Sequence, residues 1–189
     1  DASSREDQPD AILTLVYVLS LEHSKRFEYL HENAGKALWV LCLRKENARL
    51  AVQYGLSDAV KSFPPEKMVL ASGLLLVLIE DKTNLDLIRE TQGEYFLENL
   101  FISMVKCDRD TLQSYGATCL ARMAMTAKGR FRVHENGGVT ALLDLVNRTN
   151  QPKTQTNVLQ GLLNLSVGEK LQDFICKNGL YNLLEVAWA

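Results

Sequence analysis

The sequence predicts an all-α fold in which helical units stack into a solenoid. The first observation is a short segment of similar sequence that recurs four times along the 189 residues. The second is a glycine 18 or 19 residues after the start of each segment, so that successive glycines lie 38, 45 and 41 residues apart. Spacings of this size are typical of helical repeat proteins. The third is the low content of 4 prolines and 11 glycines, which favours helices over a β-sandwich.

Each repeated unit contains three apolar segments, expected to form three helices. A short segment precedes the glycine, a second follows it, and a longer third one ends in the recurring sequence. The glycine is expected to end the first helix in a left-handed conformation. Because such a unit cannot bury its apolar faces alone, neighbouring units must stack. The recurring segments are "ALWVLC" at 37–42, "LLVLIE" at 75–80, "CLARMA" at 119–124 and "GLLNLS" at 161–166, and the glycines are Gly55, Gly93, Gly138 and Gly179.

The elements follow in order from this pattern. Residues 10–21 are expected to form the second helix of the first unit, and residues 25–44 its third helix. Thr83 is expected to cap the first helix of a later unit, and Pro152 to begin a third helix. The units are approximately 9–45, 46–82, 83–127 and 128–168, with a partial unit at 169–189 and a flexible segment at 1–8.

Composition and charge exclude several classes of function. The chain is 47% hydrophobic and 23% charged with a net charge of −2, as is usual for a globular domain with a sizeable core. A dedicated nucleic-acid binder would present a strongly basic face, so no nucleic-acid partner is expected. The longest apolar run, residues 68–79, is too short to span a bilayer, so no membrane insertion is expected.

The cysteines and histidines lack the spacing of a metal site. No cysteine belongs to a CxxC pair, and the histidines are scattered, so reduced and packed thiols are expected rather than disulfides, metal ligands or cofactor ligands. No signal peptide is visible and the chain has no initiator Met, so we expect an excised piece of a cytoplasmic protein. These residues are Cys42, Cys107, Cys119 and Cys176, with His23, His31 and His134.

The segments "CLARMAMTAKGRFRVHENGGVTALLDLV" and "GLLNLSVGEKLQDFICKNGLYNLLEVA" resemble armadillo repeats. The consensus of that family contains ALxNLA, then an acidic or amide residue with glycine, then a leucine-rich helix. The resemblance covers roughly residues 9–189 and is looser in the middle unit, at "QGEYFLENLF". It implies a right-handed α-solenoid, or superhelix, of about four armadillo-like three-helix repeats. It also implies that the third helices line a concave face.

The resemblance supplies a test for peptide binding. Family members that hold extended peptides use the asparagine of ALxNLA to bond the peptide backbone, and nuclear-import receptors add a tryptophan one turn earlier. Here only the last unit has the asparagine, Asn164, and no unit has that tryptophan, so an import receptor is not expected. Trp39 lies one position away and is expected to be a packing residue.

Residues at helical spacing on the third helices are the candidate partner-binding residues. Amides and hydroxyls can pair with the backbone of a partner, and an apolar stretch can accept an anchoring side chain. The alternative for the two leucines is burial, because residues 68–79 are hydrophobic on all sides. The candidates are Asn33, Lys36, Leu74, Leu78, Thr118, Arg122, Asn157, Gln160 and Asn164, next to Tyr29, Ala71 and Ser114.

A basic cluster gives a second candidate site. Lys128, Arg130 and Arg132 lie close together in "AKGRFRVH", and "RKENAR" occupies the equivalent position at 44–49. They could form a strip that binds an acidic partner or phosphate. The alternative is that they only make a loop soluble.

The sequence contains no recognisable catalytic constellation. It has no phosphate-binding loop, no G-x-S-x-G motif and no metal-spaced histidine pair. We therefore expect a non-catalytic protein–protein interaction module, a scaffold or adaptor that binds an extended peptide or helix on the concave face. The alternative is a regulatory domain of an enzyme or chaperone system, with a small-molecule pocket formed by the apolar middle unit and Arg122. The sequence does not determine the oligomeric state.

Overall fold

The computed structural model describes residues 10–22, 24, 27–64 and 67–188, and side chains as far as residue 179. Within these residues the regular structure is helical and contains no strand. The chain divides into two compact units, whose sequences meet between Gln92 and Gly93. The helices are α1 (Ala11–Ser20), α2 (Glu28–Leu41), α3 (Lys45–Gln53), α4 (Leu56–Lys61), α5 (Met68–Leu78), α6 (Lys82–Gln92), α7 (Phe96–Lys106), α8 (Asp110–Met123), α9 (Ala127–Glu135), α10 (Gly138–Arg148), α11 (Pro152–Leu165) and α12 (Glu169–Trp188).

The first unit packs α1 against α2 and α4, and α5 against α2. Two glycines permit the close approach of α2 and α5. A Cβ atom on Gly35 would lie 2.4 Å from Cδ2 of Leu70, and one on Gly73 would lie 2.7 Å from the ring of Trp39. Trp39 is therefore a packing residue, as the sequence predicts.

The second unit is organised around α8 and α10. Helix α8 packs between α7 and α11, and α10 contacts α7, α11 and α12. Its core contains Phe101, Leu120, Leu142 and Leu145, each less than 2% exposed. Helices α8 and α11 each have 14 residues and form one long pair.

Glycine turns occur at two of the four predicted positions. Gly55 and Gly93 have φ values of +89° and +103°, which a residue with a side chain rarely adopts. At the third turn the left-handed residue is Gly137, with φ of +79°, and Gly138 is the first residue of α10. The sequence prediction is thus one residue late there, because two glycines stand side by side.

The fourth predicted turn is wrong. Helix α12 continues from Glu169 to Trp188 and passes through Gly179 without a break. A Cβ atom on Gly179 would lie 2.3 Å from Cδ2 of Leu143, so this glycine allows α12 to approach α10 closely. Glycine here serves contact between helices and not chain reversal.

Helix starts agree with the sequence in part. Helices α1 and α2 lie within the two predicted segments, and Pro152 is the first residue of α11. The predicted cap Thr83 is wrong, because the carboxylate of Asp81 accepts the backbone N–H of Thr83 at 2.8 Å. The segment 1–8 lies outside the described residues.

The four cysteines are free thiols. Cys42 and Cys119 are buried as predicted, and burial raises the pKa of Cys42 to about 11. Cys107 is half-buried and donates its S–H to the carbonyl of Met104, with Sγ 3.0 Å from the oxygen. Cys176 is exposed on α12, so the prediction that it packs is wrong. Over the described part of the chain, no helix combines the length and apolarity needed to cross a membrane.

Candidate partner-binding site

A concave pocket of about 320 Å³ lies between α8 and α11 in the second unit. Residues spaced three or four apart on a helix share one face, which places these side chains together. Five of the predicted partner-binding residues line the pocket, together with two residues that the prediction missed. The lining consists of Thr118, Arg122, Asn157, Gln160 and Asn164, with Ala121 and Met125.

Small residues bring the two pocket helices together. A Cβ atom on Gly161 would lie 3.6 Å from Cβ of Ala121 and 3.2 Å from Cδ1 of Leu142. Ala121 is only 6% exposed and contributes to the apolar part of the pocket. Because neither Gly161 nor Ala121 has a larger side chain, the neighbouring polar residues of α11 can reach α8.

Two asparagines tie α11 to α8. Nδ2 of Asn157 donates to Oγ of Ser114 at 2.9 Å and to its carbonyl at 3.3 Å. Nδ2 of Asn164 donates to the carbonyl of Ala121 at 2.8 Å. The donors are seven residues apart and so are the acceptors, so the two bonds lie two helical turns apart. Both amides therefore build the pocket wall as well as line it.

This arrangement refines the role that the resemblance implies for Asn164. One N–H of its amide is already bonded to Ala121, and its Oδ1 accepts Nε2 of Gln160 at 3.0 Å. A partner would meet the second N–H of Asn164 and the remaining lone pair of its oxygen. Among the described residues, Oδ1 of Asn157 and Oε1 of Gln160 accept no hydrogen bond.

The rest of the lining combines a hydroxyl, a cation and a thioether. The hydroxyl of Thr118 donates to the carbonyl of Ser114 at 2.8 Å. Arg122 is exposed on α8, and Met125 is 62% exposed beside it. Unbranched Met adapts to irregular apolar side chains. The pocket can thus accept backbone N–H groups from a partner, contact an apolar side chain and attract a negative charge.

The candidates of the first unit do not belong to this pocket. Asn33 and Lys36 are exposed on α2, where the ammonium of Lys36 pairs with the carboxylate of Glu32. Leu74 and Leu78 are fully buried, so the prediction that they bind a partner is wrong and the alternative of burial is confirmed. Helix α5 is apolar on all sides and packs against α2 and α3, so these leucines form the core.

The basic strip is also not formed as predicted. Arg132 is 5% exposed; its guanidinium donates to the carbonyl of Glu94 at 2.8 Å and pairs with the Glu94 carboxylate. Arg130 is half-buried and donates to the carbonyl of Ala124 at 3.3 Å. Only Lys128 of the three is exposed. The pairing of Arg132 with Glu94 could not be predicted from a local pattern, because the two residues lie 38 positions apart.

A groove of about 410 Å³, which the sequence did not predict, lies in the first unit between α1 and the turn from α3 to α4. At its edge, the hydroxyl of Tyr54 donates to Oδ2 of Asp10 at 2.8 Å. This bond lowers the pKa of Asp10 and raises that of Tyr54. The groove is lined by Leu13, Val16, Tyr17, Ser20, Tyr54, Gly55, Asp58, Ala59 and Ser62.

No protein-family model and no curated protein matches this chain. Three crystal structures of engineered proteins, all targets of the Northeast Structural Genomics Consortium, have a similar fold. The first has a TM-score of 0.74 at 16% identity over 90% of this chain and 69% of its own. The second has 0.78 at 17% over 94% and 73%, and the third 0.74 at 18% over 92% and 42%. At these identities the likeness is one of fold alone. The described residues contain no group of three or more His, Cys, Asp or Glu side chains placed to hold a metal ion.

Proposed function

We propose that this chain is a non-catalytic protein–protein interaction module, a scaffold or adaptor that binds an extended peptide or helix of a partner in the pocket between α8 and α11. The observation that supports the proposal is the convergence of Thr118, Arg122, Asn157, Gln160 and Asn164 from two helices around one open pocket. Concave surfaces with a few placed polar groups are the usual form of such sites.

The pocket chemistry favours a polypeptide partner with an apolar side chain and a negative charge nearby. Oδ1 of Asn157 and Oε1 of Gln160 are acceptors for backbone N–H groups. Met125 and Ala121 provide the apolar contact. Arg122 adds a positive charge that attracts an acidic residue.

Armadillo-type repeats account for the order of the helices. The series α3, α4, α5 and the series α9, α10, α11 each consist of a short first helix, a glycine turn, a second helix and a longer third helix. This order supports the assignment to the armadillo family, and with it a right-handed solenoid. The buried free thiols Cys42 and Cys119 support a reducing, cytoplasmic location.

Affinity capture from a cytosolic lysate tests the proposed site. We expect the Gln160→Arg and Arg122→Glu variants to lose partners that the unchanged chain retains, because one fills the pocket and the other reverses its charge. The matched controls are Gln172→Arg and Lys128→Glu, both at exposed positions outside the pocket lining. All variants are compared at equal thermal stability.

Affinities of the captured partners then decide the outcome. A decrease of at least about tenfold in both pocket variants, equivalent to about 1.4 kcal/mol, is expected, with the controls unchanged. If both pocket variants bind every partner within about threefold of the unchanged chain, the site is elsewhere.

The pocket volume also favours a second candidate function. About 320 Å³ is at the lower end of the range of small-molecule sites, roughly 300–1,000 Å³. The chain would then be a regulatory domain of an enzyme or chaperone system. A regulator changes the turnover of the catalytic protein that it accompanies, whereas a scaffold binds it without that effect, so a turnover assay separates the two functions.

A further inference from the structure

Met125 is the most exposed of the four methionines in the sequence. It is 62% exposed, whereas Met104 and Met123 are 3% and 4% exposed and Met68 is half-buried. An oxidant must reach the thioether sulfur before it can react. The fold therefore selects Met125 among the methionines for oxidation.

Met125 stays exposed although helices of the chain pack on both sides of α8. Helix α8 lies between α7 and α11, and α9 to α12 all follow Met125 in the chain. In the alignment of the recurring segments, Met125 corresponds to Leu43, which directly follows "ALWVLC". Leu43 is 68% exposed, although α3, α4 and α5 follow it. In both places the helices of the next repeat leave this position open.

Met125 provides most of the apolar surface that a partner can contact in the pocket between α8 and α11. The other apolar side chain of the lining, Ala121, is small and only 6% exposed. A thioether is flexible and adapts to the shape of an apolar side chain. Contact with an apolar partner residue therefore depends mainly on Met125.

The rest of the pocket lining contains hydrogen-bond donors. The guanidinium of Arg122 lines the pocket, and Asn164 has a second amide N–H besides the one that donates to the Ala121 carbonyl. A thioether sulfur is only a weak acceptor for such groups, whereas a sulfoxide is polar. Oxidation of Met125 would thus replace an apolar surface by an oxygen that these donors attract.

We propose that Met125 is a redox modification site, and that its oxidation to methionine sulfoxide by hydrogen peroxide weakens the binding of an apolar partner side chain in the pocket. The sulfur attacks one peroxide oxygen, so that an S–O bond forms and the O–O bond breaks. The sulfur loses two electrons, and the second oxygen leaves with both protons as water. Methionine sulfoxide reductases reverse this change. The effect on binding rests on the proposed function, whereas the selectivity of the oxidation does not.

Peptide mass spectrometry after peroxide treatment tests the modification site. Trypsin releases residues 123–128, "MAMTAK", so Met123 and Met125 lie in one peptide and its fragment ions distinguish them. In the folded chain we expect Met125 to be oxidised at least about tenfold faster than Met123. In the urea-unfolded chain the two rates should agree within about twofold. Equal rates in the folded chain would overturn the proposal.

Affinity for partners tests the effect on binding. The probes are the captured partners that the Arg122→Glu variant loses. Peroxide should weaken their binding to the unchanged chain at least about fivefold. Met125→Leu, which keeps a similar side-chain volume, should change by less than about twofold between its own untreated and treated forms. An equal loss in Met125→Leu would assign the effect to another residue and overturn the regulatory role.

Two treatments then separate the sulfoxide from oxidised thiols. Cys107 and Cys176 are not buried and can also react with peroxide. A dithiol alone reduces their disulfides and sulfenic acids, whereas methionine sulfoxide requires two reductases, one for each epimer. We expect binding to recover with the reductases and not with the dithiol alone; full recovery with the dithiol alone would contradict the role of Met125.

Failure of the proposed function is recognised separately. If no captured partner depends on Arg122, the proposed function fails, and the regulatory role fails with it. The relative oxidation rates of Met125 and Met123 still decide the modification site, because that measurement requires no partner.

Discussion

At the scale of residues, the polar side chains predicted to bind a partner divide into two groups. Asn157 and Asn164 hold α11 on α8 through their amide nitrogens, whereas Gln160 and Lys36 are exposed. Arg132 belongs to neither group, because it is paired with Glu94. Helical spacing predicts which residues share a face. It does not predict which of them already have an acceptor within the chain.

The buried His31 predicts a pH-dependent stability. Burial lowers its pKa below the usual value of 6.5, the positive charge of Lys67 lowers it further, and the carbonyls of Val18 and Leu21 act in the opposite direction. Well above pH 6.5 the folded and unfolded forms are both neutral, so His31 adds no pH dependence there. Below that value the unfolded form binds the proton first, so stability falls as the pH falls, by at most about 1.4 kcal/mol per pH unit.

Urea unfolding between pH 5 and 8 checks this prediction, with His31→Leu as the comparison. The variant should lose part of the acid sensitivity while the carboxylates keep theirs. An identical decrease in both proteins would mean that His31 does not titrate differently on folding.

At the scale of elements, a recurring hydrogen bond links consecutive helices. A side-chain nitrogen near the start of one helix donates to a carbonyl six residues earlier, at or near the end of the previous helix. Such bonds satisfy carbonyls that a helix end leaves without an intrahelical partner. The pairs are Asn47 with Leu41, Gln113 with Cys107, Arg130 with Ala124 and Gln155 with Thr149.

The junction of α8 and α9 predicts a large effect of one methyl group. A Cβ atom on Gly129 would lie 1.8 Å from the carbonyl oxygen of Met123, a backbone atom that cannot move alone. Although alanine is normally the better helix former, Gly129→Ala should therefore lower the free energy of unfolding by about 1–3 kcal/mol. Thermal melting measures the change.

Gly168→Ala is the control for that experiment, because a Cβ atom there would meet nothing closer than 3.9 Å. It should change the stability by less than about 0.5 kcal/mol. Equal effects of the two substitutions would argue against a steric cause at Gly129.

The pairing of α8 and α11 predicts a second effect on stability. The Ala121 carbonyl lies in the last turn of α8 and accepts no backbone N–H among the described residues, so Asn164→Ala removes its hydrogen bond and should cost about 1–3 kcal/mol. The amide of Gln160 is exposed and bonds only Asn164 among the described residues. Gln160→Ala should therefore lower the free energy of unfolding by less than about 0.5 kcal/mol. Denaturant midpoints compare the two. A larger cost for Gln160→Ala would contradict the assigned roles.

At the scale of the whole molecule, charge sets an expectation about partners. The net charge is −2 over 189 residues. Two of the cations that the sequence groups together, Arg130 and Arg132, are engaged by Ala124 and Glu94. The chain thus has no net positive charge, and its predicted basic cluster is partly engaged within the fold, whereas non-specific binding to nucleic acid depends on exposed cations.

Anisotropy of a labelled 20-base-pair duplex tests this expectation. We expect binding not to saturate up to about 100 μM protein at roughly 150 mM salt. A dissociation constant of about 100 μM lies at the weak end of non-specific DNA binding. Tight binding that weakens steeply with added salt would instead reveal a basic surface.

Sequence patterns alone predict the all-α class, the positions of most helices and the turns at Gly55 and Gly93. These features depend on local properties, namely the spacing of apolar residues along a helix and the freedom of glycine to adopt positive φ. The same spacing also assembled the five predicted residues of the pocket, because two neighbouring helices each presented one face.

The role of each of these residues depends on contacts between helices that are distant in the sequence. The continuation of α12 through Gly179 depends on its contact with Leu143, and the burial of Leu74 depends on the helices around α5. The bonds of Asn164 and Arg132 join residues 43 and 38 positions apart. A local pattern cannot encode such contacts, because the identity of the acceptor is fixed only when distant helices pack together.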